Sequence, residues 1–290
     1  MNKQNFKTQL YQLNNYENEQ SEVIYAGNPN SKEVIVFIHG ALLTYKIMTM
    51  FEPYMREYKL IFINCPSRGK SSEIERDNHT LDDYSERVYD VLSQIVTEQH
   101  LSEIKVVGYS MGGMIATRLL KFNKLPISHL IYLNSAAKIT PDGSMLARLF
   151  TSDSKRDILK DEINAVKNLP QYILDKTIFA QKENAIELFQ FVAPIKTIIT
   201  DILYTINADY LPDIEDIETF PKILFMSGKE DQIIPYTDSL ATLEQFKAYG
   251  GTTKEIVYEG IGHLDFPSVL ETKSDQELGV VDHIKQWIQE

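Results

Sequence analysis

A single cysteine, Cys65, stands in 290 residues. No intramolecular disulfide can form, and a cysteine-based metal cluster is excluded. Cations are also scarce: 29 Lys and Arg face 41 Asp and Glu, a formal charge of -12. Phosphate backbones need a basic face, so nucleic acid is not an expected partner, and neither is an anionic membrane reached through a polybasic anchor. Long apolar runs are missing too. The clean run at 34–38 is far below the ~20 residues of a membrane-spanning helix. The opening MNKQNFKTQLYQL lacks the apolar stretch of a signal peptide. These absences predict a cytoplasmic protein without a membrane anchor. None of the six histidines forms an H-E-x-x-H pair, and nothing calls for a metal or organic cofactor.

What is present is alternation. The run KEVIVFIHG at 32–40 is continuously apolar and ends at Gly40, as a strand buried on both faces does. Residues 44–58 have helical spacing, with Met48, Phe51, Tyr54 and Met55 on one side. Short strands are expected at 60–64, 104–109, 129–134, 222–227 and 254–258, with helices at 80–100, 111–122, 236–249 and 279–289. Thr80 followed by Asp83 reads as a capping box. Residues 8–13 and 22–26 read as two edge strands. Strands alternating with helices predict a mostly parallel sheet of about eight strands with helices on both faces. Between about 138 and 211 the pattern gives helical segments only. The expected organisation is therefore a core of 1–137 and 212–290 with a helical cap at 138–211, inserted after the sixth strand. Ligands of such sheets bind beyond the carboxyl ends of the strands, so the chemistry is sought in the loops that follow them.

Three such loops carry candidates. In IKVVGYSMGGMIAT, residues 104–117, Ser110 sits between Gly108 and Gly112, after a strand and before a helix, which is the context G-x-S-x-G requires. Reversing a strand into a helix this abruptly strains the serine backbone and pushes Oγ outward, while the helix start aims free N–H groups at the same spot. The loop GKEDQIIP at 228–235 offers two acids, Glu230 and Asp231, either of which could orient a histidine. In the loop GIGH at 260–263, glycines precede His263. His39, at a strand end beside Gly40, reads as structural, and so do the remaining histidines.

Serine, acid and histidine in that chain order, together with HGA at 39–41, NCPSRGKS at 64–71, GYSMGG at 108–113, GKEDQIIP and GIGH, resemble the α/β-hydrolase superfamily, in its branch of small cytoplasmic hydrolases with a helical cap. The resemblance runs from about Glu22 to nearly the end of the chain. It implies Ser110 as nucleophile, His263 as general base and then acid, and Asp231, chosen over Glu230 by the family spacing, as the residue that holds the histidine tautomer. It also implies an oxyanion hole of two backbone N–H groups, from Met111 and from Ala41, with Leu42 the second choice for the latter. Two departures stand in the 64–71 loop, where the family often shows D-x-P-G-x-G-x-S: Asn64 replaces Asp and Ser67 replaces the first Gly. Cys65 reads as a packed small apolar residue.

A serine nucleophile sets the chain apart from haloalkane dehalogenases and epoxide hydrolases, which place aspartate there. It points to an acyl-enzyme and to a small or medium ester-type substrate. Two other readings remain open at this level: a lyase, lactonase or C–C hydrolase on the same triad, and a small-molecule receptor that keeps the triad. The sequence also leaves a homodimer open. Aromatic and apolar residues of the 138–211 segment, Met145, Leu149, Phe150 and Phe179 among them, read mainly as the cap's own packing.

Overall fold

The computed structural model describes residues 6–74, 80–140, 193–272 and 278–290. Eight strands form one sheet: β1 (Lys7–Gln12), β2 (Gln20–Gly27), β3 (Val34–Ile38), β4 (Lys59–Asn64), β5 (Ile104–Tyr109), β6 (Ile127–Leu133), β7 (Lys222–Gly228) and β8 (Thr253–Tyr258). Their spatial order is β1-β2-β4-β3-β5-β6-β7-β8. The β1–β2 and β2–β4 pairs are antiparallel and all others are parallel. The strand count and mostly parallel arrangement match the expected fold. Of the two expected edge strands, β1 is at the edge, while β2 lies one place in, paired on both sides.

Burial explains the pattern. Every residue of β3 and β5 is buried, so these strands need no polar alternation. Val36 and Ile38 on β3 and Val106 on β5 face one apolar layer, together with α1 (Leu81–Glu98) and α2 (Met111–Lys121). Ile35, Phe37, Val107 and Tyr109 face the other layer, with α5 (Val280–Trp287). Further helices α3 (Ile195–Asn207) and α4 (Tyr236–Ala248) join the first layer through Ile198, Ile202, Leu243 and Phe246. The Thr80 capping box forms as expected: its side chain accepts the Asp82 N–H, and Asp83 accepts the Thr80 N–H.

The helical stretch expected at 44–58 is instead a 3-10 helix, Tyr45–Tyr54, with Pro53 inside it. Pro53 stands in its last turn, which closes at Met55. The segments expected as helices between 144 and 191 lie outside the described residues, as does His79. The described ends of the 138–211 span meet. Lys138 and Asp209 form an antiparallel bridge, and the Tyr210 N–H donates to the Ala137 oxygen at 3.0 Å. Among the described residues, no helix is long and apolar enough to cross a membrane.

His39 closes β3 with its ring fully buried. Its Nδ1 lies 2.8 Å from the Gly40 oxygen, and Nε2 lies 3.1 Å from the Cys65 N–H. The second contact makes Nε2 an acceptor, so the ring is neutral with its proton on Nδ1. Burial, reinforced by the Arg68 cation, holds its pKa well below the ordinary 6.5. The unfolded chain therefore binds a proton that the folded chain refuses. The stability due to His39 is complete above pH 6.5 and is lost as pH falls below it. Buried His129 and half-buried His283 are lowered in the same sense by desolvation. Urea unfolding between about pH 7.5 and 5 is expected to show stability falling towards acid, with a shallower slope in His39→Gln. An unchanged slope would remove His39 from the effect.

Candidate active site

Ser110 separates β5 from α2 with φ 53 and ψ -123, a strained backbone for a residue with a Cβ. The strain is held from both sides. The Ser110 N–H donates to the Leu133 oxygen at 3.0 Å, and the Ser110 oxygen accepts from the Gly113 N–H at 2.9 Å and the Ser135 hydroxyl at 2.6 Å. The flanking glycines allow the strand and helix to close. A Cβ on Gly108 would lie 2.5 Å from the Gly113 Cα, and one on Gly112 would lie 2.1 Å from the Ile38 oxygen. Both obstacles are backbone, which cannot swing aside. Gly112→Ala must lift α2 off β3. We expect it to cost about 1–3 kcal/mol in chemical unfolding, and an unchanged midpoint would show that the helix start has slack.

The three loops converge. His263 Nε2 lies 2.9 Å from Ser110 Oγ, and His263 Nδ1 lies 2.7 Å from Asp231 Oδ2. All three residues are buried. A carboxylate oxygen can only accept, so Nδ1 carries the proton and Nε2 accepts from the serine hydroxyl. The second Asp231 oxygen, Oδ1, accepts the N–H groups of Ile233 and Ile234, both at 2.9 Å. Glu230, the other acid of this loop, is spent elsewhere: its Oε2 accepts the Ile261 N–H at 2.9 Å.

The histidine loop is anchored by its main chain. Tyr109 donates its hydroxyl to the His263 oxygen at 2.9 Å, and its ring stacks on the imidazole with centroids 5.4 Å apart. Burial, followed by the charges of Asp231 and Asp265, holds the Tyr109 phenol well above its ordinary pKa. It remains a donor. Asn134, at φ 44 after β6, donates Nδ2 to the oxygens of His263 (2.9 Å) and Gly262 (3.3 Å), and its Oδ1 accepts the Gly228 N–H at 2.8 Å. One amide thus joins the end of β7, which leads to Asp231, to the loop that carries His263.

Opposite the elbow lies the 39–43 segment. A Cβ on Gly40 would come within 2.8 Å of the Ser110 Cβ, so this segment abuts the serine. Met111 is the first residue of α2, where a backbone N–H has no intrahelical acceptor. The Leu42 N–H is already committed: it donates to Asp201 Oδ2 at 3.1 Å. Among the described residues, no group of His, Cys, Asp and Glu side chains is arranged to hold a metal ion.

The sequence pattern of the family described as serine aminopeptidase, S33, matches residues 29–265. The chain belongs to this family of α/β-hydrolases. The hydrolase is 25% identical over 150 residues to a candidate 2-succinyl-6-hydroxy-2,4-cyclohexadiene-1-carboxylate synthase of Bacillus subtilis. That match covers 50% of this chain and 53% of the relative, so the chain spans about half of that relative's length. It is 22% identical over 281 residues to a candidate esterase/lipase of Mycoplasma genitalium, covering 91% of this chain and 94% of that one. In three dimensions it resembles an esterase of Exiguobacterium antarcticum, with a TM-score of 0.73 at 18% identity, covering 98% of this chain and all of the other.

Both departures in the 64–71 loop of the hydrolase have local causes. Asn64 donates Nδ2 to Glu22 at 3.0 Å while its Oδ1 accepts the Tyr45 N–H. An aspartate could not donate, and it would set a second carboxylate against Glu22. Ser67, at φ 65, occupies a left-handed position that favours glycine, and its hydroxyl accepts the Ile74 N–H at 3.1 Å. Cys65 is fully buried, and burial pushes its thiol up to about 12. It is packing, as expected, and not a reactive thiol.

Sequence reasoning missed Asn134, Tyr109 and Asp201. Asn134 left a faint signal, a polar side chain ending an apolar run and followed by small residues in YLNSAA.

Proposed function

We propose that this hydrolase is a carboxylesterase-type enzyme that cleaves a small or medium ester through an acyl-enzyme on Ser110. The observation that carries the reading is the unbroken chain from Ser110 Oγ to His263 Nε2 at 2.9 Å and from His263 Nδ1 to Asp231 at 2.7 Å. In this reading Oγ attacks the ester carbonyl as His263 takes its proton. The negative charge that forms on the carbonyl oxygen is met by the N–H groups of Met111 and Ala41. Ala41 is preferred to Leu42 because the Leu42 N–H already serves Asp201. Collapse breaks the C–O bond, and the departing alkoxide receives the proton from His263. Water then attacks the acyl-enzyme with His263 again as base, and the acid leaves. Each oxyanion donor contributes about 2.7–4 kcal/mol to the barrier reduction.

Asp231 holds the imidazole tautomer and stabilises its cation. We read the span 138–211 as the cap over this site, since it leaves and re-enters the body at one bridge, Lys138 and Asp209, beyond the strand ends. The single buried cysteine and acidic charge support a cytoplasmic setting. A lyase on the same triad is the second reading, favoured by the name of the Bacillus subtilis relative.

A fluorophosphonate probe together with p-nitrophenyl acetate and butyrate tests the proposal. Labelling of Ser110 with ester turnover supports it. A folded protein with unlabelled Ser110 overturns the nucleophile assignment, and labelled protein that is inert to esters favours the lyase.

A further inference from the structure

Leu42 has φ 68, an unfavourable backbone for a leucine, and its peptide groups are held on both sides. Its N–H donates to Asp201 Oδ2 at 3.1 Å, and its oxygen accepts the Ala193 N–H at 2.7 Å. Asp201 lies on α3 and is fully buried. Its carboxylate also accepts the Tyr84 hydroxyl at 3.1 Å and pairs with the guanidinium of Arg68. That guanidinium is itself buried, and each of its three nitrogens donates one hydrogen bond. Nε donates to the Leu43 oxygen at 2.9 Å and a terminal nitrogen donates to the Pro66 oxygen at 2.6 Å. A buried ion pair is a poor source of stability, because desolvation offsets most of its attraction. This one instead holds backbone groups in a row: Asp201 takes the N–H of Leu42 and Arg68 takes the oxygen of Leu43, with the Leu42 oxygen between them held by Ala193.

Ala41 sits between two fixed peptides. Upstream, His39 Nδ1–H holds the Gly40 oxygen. In a trans peptide the Ala41 N–H points opposite to that oxygen. Downstream, Asp201 holds the Leu42 N–H, which fixes the plane that follows Ala41. Without that second hold, the segment would be tethered beside Ala41 from the upstream side alone, and the strain at Leu42 would relax by a shift of residues 41 and 42 together. We propose that Asp201, oriented by Arg68, is a positioning residue that locks the Ala41–Leu42 peptide and thereby aims the Ala41 N–H at the developing oxyanion. This rests on the reading of Ala41 as an oxyanion donor given above. Asp201 touches no substrate and acts through the backbone alone.

Two charge-matched variants separate positioning from structure. In Arg68→Met with Asp201→Asn, the amide oxygen still accepts the Leu42 N–H. In Arg68→Met with Asp201→Leu, nothing does, and an apolar pair of similar volume fills the site. The expected result is melting temperatures that agree with each other. The leucine variant loses about 10²-fold in kcat and in the rate of Ser110 phosphonylation, with KM little changed, and the asparagine variant recovers most of the loss. Equal rates in the two folded variants, whether high or low, overturn the proposal. Should wild-type Ser110 resist the probe, the esterase reading falls first and this inference with it. Labelled wild type with no difference between the variants leaves that reading standing and removes only this one. Amide exchange of the wild-type Leu42 N–H guards against variants that fail to fold. Protection like that of β3 is expected, and exchange at the rate of an open loop overturns the assignment.

Discussion

Ser110→Ala is expected to lower kcat for p-nitrophenyl butyrate by about six orders of magnitude, with fluorophosphonate labelling lost and the fold intact. The size follows from the arrangement. In the proposed mechanism His263 and Asp231 act only through Oγ, so removing it takes away the one hydroxyl 2.9 Å from the imidazole. Residual activity would come from the N–H groups alone. Ser110→Gly should be equally inactive and yet more stable. The φ 53, ψ -123 backbone costs a residue with a Cβ about 1–3 kcal/mol, and glycine escapes most of that. A glycine variant less stable than wild type would show that the serine side chain contributes more through its hydrogen bond than its backbone loses in strain. An alanine variant that keeps measurable fractions of wild-type turnover would place the nucleophile elsewhere.

The second large effect is expected at Asp231→Asn, with kcat falling about 10⁴-fold. Here the direction of the amide decides. Oδ1 of Asp231 already accepts the N–H groups of Ile233 and Ile234. An asparagine keeps those two bonds only if its oxygen stays in that place. Its NH2 group then faces His263 Nδ1, where Oδ2 now sits at 2.7 Å. The amide donates and Nδ1 must accept, so the ring proton moves to Nε2, which turns from acceptor to donor against Ser110. The variant keeps its contacts and its stability but holds the wrong tautomer. Steady-state kinetics alongside thermal melts test this. A variant within tenfold of wild type, at equal melting temperature, would mean that Asp231 does not set the tautomer.

Legibility followed the distance over which each residue finds its partners. The elbow could be read because its requirements are local: Gly108 and Gly112 lie two residues from Ser110, and strand and helix are its immediate neighbours. The central strands could be read because burial on both faces writes itself as an unbroken apolar run. Asp231 over Glu230 was readable only through family spacing, and the hydrogen bond from Ile261 to Glu230 supplies the physical reason. The 45–54 segment is helical but 3-10 in kind, which apolar spacing over so few turns does not distinguish from an α-helix. Asn134 and Asp201 were out of reach: Asn134 bonds Gly228, 94 residues on, and Asp201 bonds Leu42, 159 residues back. No local pattern marks such a side chain, because its partners lie on segments that meet only in the folded chain.

The Asn134 amide has a consequence for the order in which the enzyme becomes competent. The elbow is bounded by β5 and α2, and its backbone is held by Leu133 at the end of β6 and by Ser135 just after it. His263 reaches the elbow from a loop 153 residues later in the chain, and one side chain just after β6 ties that loop to the last residue of β7. A refolding chain in which β6 and β7 have not yet paired would carry Ser110 without its His263 partner, so phosphonylation of Ser110 during refolding is expected to rise no earlier than the closing of that part of the sheet.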